Sequence, residues 1–215
     1  MKKILAIAAL LAVVTLTGCA KKKPYDYSAF RESKPASILV LPAENHTPDI
    51  KAAHSFASLV TRPLAESGYY VFPVAVVEET FKQNGLDNAT DIRSVSAAKL
   101  RSIFNADAAL YIDITDYGTK YIVIDSVTRV TATARLVDLR TGKQIWSGLA
   151  TAANNEQNNG NQGVIGMLIT AAVKQIANNV SDGAHDIAVV TSNRLLTANT
   201  NGGILPGPRA KAAKI

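Results

Sequence analysis

The segment Ser37-Ile38-Leu39-Val40-Leu41-Pro42 decides the fold of this 215-residue chain. It is a short, unbroken apolar run with Pro35 just before it and Pro42 at its end. A run of this kind, bounded by prolines, is typical of a strand that is buried on both faces of a sheet. The segment therefore predicts the first core strand, from which the neighbouring elements can be placed.

The segments downstream alternate between helical and extended patterns. The order of strand, helix, strand, helices and strand predicts α/β packing. Within it, Pro63 predicts a kink or a break in the first helix, and Gly68 predicts its C-terminal cap. We expect a loop over 43–49, helices over 50–67 and 78–84, strands over 69–74 and 108–115, and a helix capped by Ser94 or Ser96.

A long alternating segment then changes the architecture. Residues 127–139 alternate between apolar and polar side chains, 140–143 read as a turn, and 144–149 return. This pattern predicts an antiparallel hairpin with one half-buried face. We expect Trp146 to pack in the core of the sheet rather than to serve as a ligand platform. The predicted fold class is therefore α/β, a mixed sheet with helices packed on it and a long antiparallel hairpin.

The beginning of the chain has the layout of a secretory signal. Two lysines precede an apolar run, 4–14, that is too short to span a membrane. The run ends in Leu16-Thr17-Gly18-Cys19, which resembles the lipobox of bacterial lipoproteins. The resemblance implies that Cys19, the single cysteine of the sequence, receives a diacylglycerol. The alternative is an ordinary signal peptide with an accidental cysteine.

This layout predicts four regions. They are a lipoprotein signal peptide over 1–18, a lipidated tether over 19–36, a periplasmic α/β domain over 37–190 and an irregular C-terminal tail over 191–215. Ala20 is not the aspartate that retains enterobacterial lipoproteins in the inner membrane. The resemblance therefore points to the outer membrane, with the domain facing the periplasm and surface exposure as the alternative. No second cysteine is left for a disulfide.

The basic character of the chain is confined to its ends. The formal charge is +6, of which the signal lysines, Lys2 and Lys3, account for two. Lys21, Lys22 and Lys23 lie beside the predicted lipid, where they could contact acidic headgroups. No basic helix is interleaved with aromatic residues, so we expect no nucleic-acid partner.

A second apolar segment suggests a partner surface. Residues 164–180 read as a helix that is apolar on most sides, with Val164, Met167, Leu168, Ala171 and Ala172 as the candidate interface. The alternatives are burial in its own domain, an envelope protein partner, and self-association. A low-complexity polar loop, 154–163, precedes this segment and is expected to be mobile. The tail could dock back on the domain or stay loose, which is the usual state of a terminus.

The sequence gives little support for catalysis. His46, His54 and His185 lack the spacing of a metal site, so we read them as surface or loop residues and expect no metal and no cofactor. The sequence contains no hydrolase elbow, phosphate loop or dinucleotide fingerprint. Acids gather at Asp113, Asp116 and Asp125; Asp113 and Asp116 flank a predicted strand end, where they could do acid–base work or simply form turns.

Several motifs follow one another along the body of the chain. They are Leu41-Pro42 with Asn45 and Thr47, then Pro-Leu-Ala-Glu-x-Gly-Tyr-Tyr-Val (63–71), Ala-Asp-Ala-Ala-Leu-Tyr (106–111) and Val-Asp-Leu-Arg-Thr-Gly-Lys-x-Ile-Trp (137–146). Together they resemble a family of bacterial lipoproteins that was noticed as Neisseria surface antigens and is related to the periplasmic domains of TolB and CsgG. The resemblance implies a small α/β sandwich of the TolB N-terminal type. It carries over no catalytic residue.

Three functions follow from these expectations. The leading one is a non-enzymatic, outer-membrane-anchored lipoprotein whose domain binds a protein partner in an envelope assembly, secretion or transport system. The second is a periplasmic lipoprotein that binds a small molecule or lipid in an apolar pocket. The third, an envelope hydrolase, requires Asp113 and Asp116 to converge in a cleft.

Overall fold

The computed structural model describes residues 24–122, 125–156 and 183–210. The described residues form six helices and six strands. In chain order these are α1 (Ser28–Ser33), β1 (Ser37–Val40), β2 (Glu44–Asn45), α2 (Ala52–Glu66), β3 (Tyr70–Val71), α3 (Val74–Gln83), α4 (Ala89–Ser94), α5 (Ala97–Phe104), β4 (Ala108–Ile122), β5 (Asp125–Asp138), β6 (Gln144–Ala153) and α6 (Gly183–Leu196).

The six strands form one mixed sheet, as predicted. Its order is β3-β1-β4-β5-β6, and the short β2 also pairs with β4. β1 runs parallel to β3 and to β4, whereas β4, β5 and β6 form an antiparallel meander. The predicted hairpin is present, but both of its strands are longer than expected. The third predicted strand likewise extends from residue 115 to residue 122, because it pairs with β5 along that whole length.

β1 is buried on both faces, as its apolar run predicts. Ile38 and Val40 belong to one hydrophobic cluster, and Leu39 and Leu41 belong to a second cluster on the opposite side of the sheet. All four side chains are at least 98% buried. The first core strand therefore separates two helical layers.

The two layers cover the sheet unequally. We call the side packed by α1, α2 and α6 the covered face; its core runs the length of β4, β5 and β6 and includes Leu110, Leu136 and Trp146. Helices α3, α4 and α5 pack on the other side around a smaller core. On the antiparallel strands, the described part of that smaller core is limited to Ala109 and Tyr111 in β4 and Val137 in β5.

Trp146 packs on the covered face, as expected. It is fully buried, and its indole N–H donates to the Gly202 carbonyl over 3.1 Å. The indole lies against Gly148, where an added Cβ would come within 2.5 Å of the ring. Glycine at residue 148 is therefore needed for this close packing.

Helix α2 contains Pro63 without being split. A proline at this position cannot donate to the carbonyl four residues earlier, that of Leu59. The hydroxyl of Ser192 in α6 donates to this carbonyl over 3.1 Å, and both Pro63 and Ser192 are buried. The predicted split is wrong: the helix is continuous, and a tertiary hydrogen bond replaces the missing helical one. The predicted kink stays a prediction.

Gly68 ends α2 as predicted. Its φ of +93° is in the left-handed region, and the N–H of Tyr69 donates to the Leu64 carbonyl over 3.2 Å. This is the reverse-turn pattern of a helix C-terminus. An added Cβ at Gly68 would also lie 2.1 Å from the Ala210 backbone nitrogen, so the position excludes other residues twice over.

Two predicted elements need correction, and one helix was not predicted. The predicted loop 43–49 contains β2, a two-residue strand. The predicted strand 69–74 is reduced to Tyr70–Val71, because Pro73 is the N-cap of α3 and the chain turns helical at Val74. A helix absent from the prediction, α4, has Asn88 as its cap, and Ser96 caps α5.

Both predicted chain ends are more ordered than expected. The predicted tether contains α1, whose Phe30 is buried in the core together with Tyr27. The predicted irregular tail is helical to Leu196, and beyond the helix Ile204 is buried. The boundaries at 36/37 and 190/191 therefore fall within the folded unit, because described residues on both sides of each boundary belong to one core.

Among the described residues, no helix has both the length and the apolar character needed to cross a bilayer. The predicted helix 164–180 and most of the predicted loop 154–163 lie outside the described residues.

Candidate functional site

On one side of the sheet, the helices that the structure describes leave most of the predicted hairpin uncovered. Alternation along β4, β5 and β6 directs every second side chain away from the covered face. We call this surface the open face. It includes Asp113, Thr131, Thr133, Arg135, Ser147, Leu149 and Thr151, all of which are half-buried or exposed.

Leu149 stands in the middle of β6 on this surface. It is directly paired with Thr133, which in turn is paired with Asp113. Its side chain is 68% exposed, between Ser147 and Thr151 at positions where the alternation places polar residues. Sequence reasoning missed this residue, although an apolar residue on the polar side of an alternating strand was a readable signal.

The outer edge of β6 is partly closed by side chains. The N–H of Ser147 donates to the Tyr25 hydroxyl over 2.9 Å, and the N–H of Ala153 donates to Glu156 over 2.9 Å. Between them, Arg194 donates to the Thr151 carbonyl over 2.7 Å. These contacts obstruct the addition of a further strand. A partner would therefore bind across the side chains of the open face rather than along its edge.

Arg93 marks the border between the helix-covered part of this side and the open face. Its guanidinium donates to the Ile112 carbonyl over 2.7 Å and to Asp113 over 2.8 Å. The side chain is only 8% exposed, and Glu44 lies 3.7 Å away. Arg93 therefore neutralises the carboxylates at this border and fixes α4 to β4.

Tyr111 lies under two cations at the same border. The guanidinium carbon of Arg135 is 4.0 Å from the ring centroid, and that of Arg93 is 5.6 Å away. Burial raises the pKa of the Tyr111 hydroxyl, and the two positive charges oppose this effect. Stacking holds Arg135 against the sheet, so its planar group is available on the open face without being free to move widely.

Three potential metal ligands meet beside Arg93. Glu44, His46 and Asp113 each place one ligand atom within 4.8 Å of the others. His46 Nε2 lies 3.7 Å from both carboxylates. However, the Arg93 guanidinium contacts the same two carboxylates and supplies the positive charge that a metal ion would bring. The arrangement is suited to a salt-bridge network that joins β2, β4 and α4.

The predicted acid pair has different partners in the structure. Asp113 pairs with Arg93, whereas Asp116 pairs with Lys120 over 3.1 Å. Both acids lie within β4 rather than at its end, and a bulge between Ile114 and Asp116 interrupts the alternation. The side chain of Asp125 is outside the described residues. Each described carboxylate thus has a cation of its own, an arrangement that favours ion pairing over proton transfer.

The three histidines, predicted to be surface or loop residues, differ in their burial and contacts. His46 is exposed but belongs to the network above, and His54 is exposed on α2. His185 is half-buried at the start of α6, where its Nδ1 lies 2.7 Å from the Ser55 hydroxyl. The Tyr117 hydroxyl donates to Ser55 over 2.6 Å. This chain of polar groups fastens α2 and α6 to β4.

A groove of about 940 Å³ adjoins the open face at Ser147, Gly148 and Leu149. The N-terminal segment forms one wall through Tyr25, and the loop 199–203 forms another. The Tyr27 hydroxyl donates to the Gly203 carbonyl over 2.7 Å, so the two walls are connected.

The motifs that carry the family resemblance stabilise the fold, as the motif over 137–146 shows. Asp138 is 1% exposed and accepts from the backbone N–H groups of Arg140 (2.7 Å) and Thr141 (2.9 Å) and from the Ser33 hydroxyl. The Arg140 guanidinium donates to Asp138 and to the Ser33 carbonyl. Burial disfavours the charged carboxylate, but the hydrogen bonds from Arg140, Ser33 and Thr141 outweigh it and hold the pKa of Asp138 well below its ordinary value.

The other motifs act in the same way. Asp107 accepts from the N–H groups of Ala36 and Ser37, at 3.0 and 3.1 Å, where β1 begins. Asn45 accepts from the Thr47 N–H over 2.9 Å and donates to the Asp49 carbonyl over 2.7 Å. The Tyr69 hydroxyl donates to the Leu205 carbonyl. The motif residues that carry the family resemblance therefore have structural roles in this fold.

Other predicted site residues lie outside the described part of the chain. These are the lipobox and lipidation residues and the five residues of the candidate helical interface, namely Leu16, Thr17, Gly18, Cys19, Val164, Met167, Leu168, Ala171 and Ala172.

Comparison with known proteins gives concordant matches. The family model described as "Putative lipoprotein GNA1162-like" matches residues 25–209. The putative lipoprotein NMB1124/NMB1162 of Neisseria meningitidis serogroup B is 50% identical over 205 residues, which cover 94% of this chain and 95% of that protein.

A solved structure agrees with these matches. The crystal structure of lipoprotein GNA1162 from Neisseria meningitidis is 55% identical, with a TM-score of 0.55, and the match covers 67% of this chain and all of that one. The relation to TolB remains a prediction. The extent of the family match and the identity to the meningococcal relative show that the chain belongs to the GNA1162-like lipoprotein family.

Proposed function

We propose that this protein is a non-enzymatic lipoprotein, anchored in the outer membrane through Cys19, whose periplasmic domain binds a protein partner of an envelope assembly, secretion or transport system. The observation that carries the proposal is the exposed Leu149, which lies in the middle of β6 on the open face. An apolar side chain framed by polar ones matches the usual interface pattern of an apolar centre and a polar rim.

The neighbouring residues suit the same role. Thr133 and Thr151 flank Leu149 with hydroxyl groups, and Arg135 offers a planar donor held on Tyr111. Arginine is enriched at the centres of interfaces, where its fork of donors and its stem both contact the partner. The acids at the border are paired with Arg93, so a partner would meet no unpaired negative charge there.

A cross-linking pull-down tests this proposal. The full-length lipoprotein is tagged and recovered from gently cross-linked membranes, with Leu149→Asp as the test variant. We expect one or two envelope proteins in near-equal amount with the wild type and at least a tenfold loss with Leu149→Asp, because a buried unpaired carboxylate opposes binding.

Ile50→Asp is the matched control. Ile50 is 87% exposed and lies outside the open face, so the same chemical change there should leave recovery unchanged. Recovery that is equal for wild type and Leu149→Asp would contradict the proposed site.

The predicted helix 164–180 remains a second proposed surface, through Val164, Met167, Leu168, Ala171 and Ala172. The variant Val173→Asp tests it in the same experiment. Loss of the partner with Val173→Asp alone would move the interface from the open face to that helix. Recovery of the protein's own chain only would favour self-association.

The second candidate function is binding of a small molecule or lipid. It is favoured by the groove of about 940 Å³ between Tyr25, Arg31 and Arg194. Native mass spectrometry of the gently extracted protein tests it. A stoichiometric adduct that is lost in Tyr25→Ala would support this function, and its absence would leave protein binding as the proposal.

A further inference from the structure

A second surface brings together Arg31, Lys34 and Arg209, three basic residues from the two ends of the described chain. Helix α1 lies within the predicted tether region, and the segment 204–209, near the other end of the chain, packs beside it. Between them lies a groove of about 460 Å³, which we call the anchor-side groove. It is lined by Phe30, Arg31, Lys34, Pro35, Leu205, Pro206, Gly207 and Pro208.

The groove combines an apolar floor with a basic rim. Phe30 is buried at its base, and Leu205 and two prolines line the opposite wall. Arg31 and Lys34 are exposed at the rim, and the exposed Arg209 follows Pro208 directly. Glu32, the acid of α1, is close enough to Arg140 to interact with it electrostatically.

The segment 204–209 is firmly placed. The N–H of Gly207 donates to the Ser67 carbonyl over 2.8 Å, and the N–H of Arg209 donates to the Gly68 carbonyl over 3.1 Å. The Tyr69 hydroxyl donates to the Leu205 carbonyl. The basic rim is therefore a property of the folded protein rather than of two independent tails.

The position of this surface relative to the predicted anchor is restricted by the length of the chain. Only four residues separate Cys19 from Pro24, and from Tyr25 onward the chain is fixed by the contact of the Tyr25 hydroxyl with Ser147. The six residue steps from Cys19 to Tyr25 span at most about 22 Å. Arg31 lines both the groove beside Tyr25 and the anchor-side groove, so the two are adjacent.

We infer that the anchor-side groove lies against the membrane and that Arg31, Lys34 and Arg209 contact the phosphates of anionic lipids, with the apolar floor against the lipid glycerol region. The inference rests on the proposed anchor at Cys19. We choose anionic lipid as the ligand of this groove because its charge is complementary to the basic rim. Further lysines are close in the sequence, with Lys21, Lys22 and Lys23 before this surface and Lys211 and Lys214 after it. The lipid would thus set the orientation of the domain as well as its location.

Protection of an introduced cysteine tests this orientation. The purified full-length lipoprotein is reconstituted in vesicles of phosphatidylcholine alone and in vesicles that also contain phosphatidylglycerol. A water-soluble maleimide then modifies either Pro206→Cys, beside the groove, or Lys82→Cys, exposed on α3 in the opposite helical layer. We expect the phosphatidylglycerol vesicles to slow modification at residue 206 at least about fivefold, the usual effect of one cation near an anionic surface, and to leave residue 82 unchanged.

Charge reversal provides the second arm. Arg31→Glu, Lys34→Glu and Arg209→Glu, combined with Pro206→Cys, should remove the slowing, and an unchanged thermal transition would show that the exposed substitutions preserve the fold. Equal rates at residue 206 in the two vesicle types would overturn the inference. Slowing that persists after charge reversal would also overturn it, because a contact other than lipid phosphate would then cover the groove.

The same experiment separates the anchor from the orientation. A lipid thioether at Cys19 leaves no thiol, so the parent chain should not react with maleimide. Reaction of the parent chain would overturn both the anchor and the orientation that depends on it. The vesicles contain no other protein, so this result is independent of partner binding at Leu149.

Discussion

Trp146 and Leu149 lie three residues apart on β6 and have opposite surroundings. Trp146 is on the covered face and is fully buried, with its indole against Gly148. Leu149 is on the open face and 68% exposed. One strand therefore presents a large side chain to the core on one side and an apolar side chain to solvent on the other. Hydrophobicity alone therefore does not assign a residue to the core. Its position in the alternation of the strand decides which face it occupies.

The largest expected effect is on the covered face. Trp146→Ala should lower the free energy of unfolding by about 3–5 kcal/mol, because it leaves a cavity and an unpaired Gly202 carbonyl. Leu149→Ala should change it by less than about 0.5 kcal/mol. Urea unfolding followed by far-ultraviolet circular dichroism measures both. A large loss in Leu149→Ala would show that the open face is covered within the monomer.

A smaller loss of stability is expected at Asp138, where α1 joins the covered face. Asp138→Asn should cost about 2 kcal/mol at neutral pH, since it removes the charge that Arg140 and the turn N–H groups stabilise. The folded pKa of Asp138 lies below its unfolded value of about 3.9, so its contribution is present above that pH and is lost as the pH falls.

Unfolding midpoints in urea at neutral pH and near pH 3 measure this dependence. The difference in stability between wild type and Asp138→Asn should narrow in acid, whereas a Ser102→Ala control on exposed α5 should follow the wild type. A constant difference at both pH values would contradict the proposed origin of the stabilisation.

The smallest loss of stability is expected for the hydrogen bond that Ser192 donates to α2. Ser192→Ala should cost about 1 kcal/mol, because the Leu59 carbonyl loses its replacement donor. In a Pro63→Ala background the helix supplies that donor itself, so the cost of Ser192→Ala should shrink. A double-mutant cycle in urea measures the coupling. Additive losses would mean that the two residues act independently.

Local patterns account for the central part of the fold. The apolar run at β1, the alternation of β5, the turn before β6 and the glycine after α2 each depend on neighbours within a few residues, and each was predicted. Similarly, the polar placement of Thr131 and Thr133 follows from the alternation alone.

The missed features depend on distant partners. α1 is six residues long and is held by Asp138 and Arg140, more than 100 positions away. The segment after Leu196 is held by hydroxyl and indole groups of Tyr27, Tyr69 and Trp146. A local pattern contains none of this information, so both segments read as irregular.

The candidate site was predictable only in part. Asp113 was singled out for its charge, but its partner Arg93 lies 20 residues away on a helix that the sequence did not reveal. Leu149 was overlooked because its strand was predicted to end there. Extending the alternation through Ala153 would have placed Leu149 on the polar side.

The contact between Tyr25 and β6 also has a mechanical consequence. A protein that hangs from a lipid through Cys19 would receive any pulling force at the first residue fixed to the fold, which is Tyr25. From there the load would pass to the edge of the sheet through Ser147 and, through Tyr27, to the loop that holds Trp146. Tension on a bound partner at Leu149 would enter the same strand two residues further on. Anchor and partner would therefore both pull on β6.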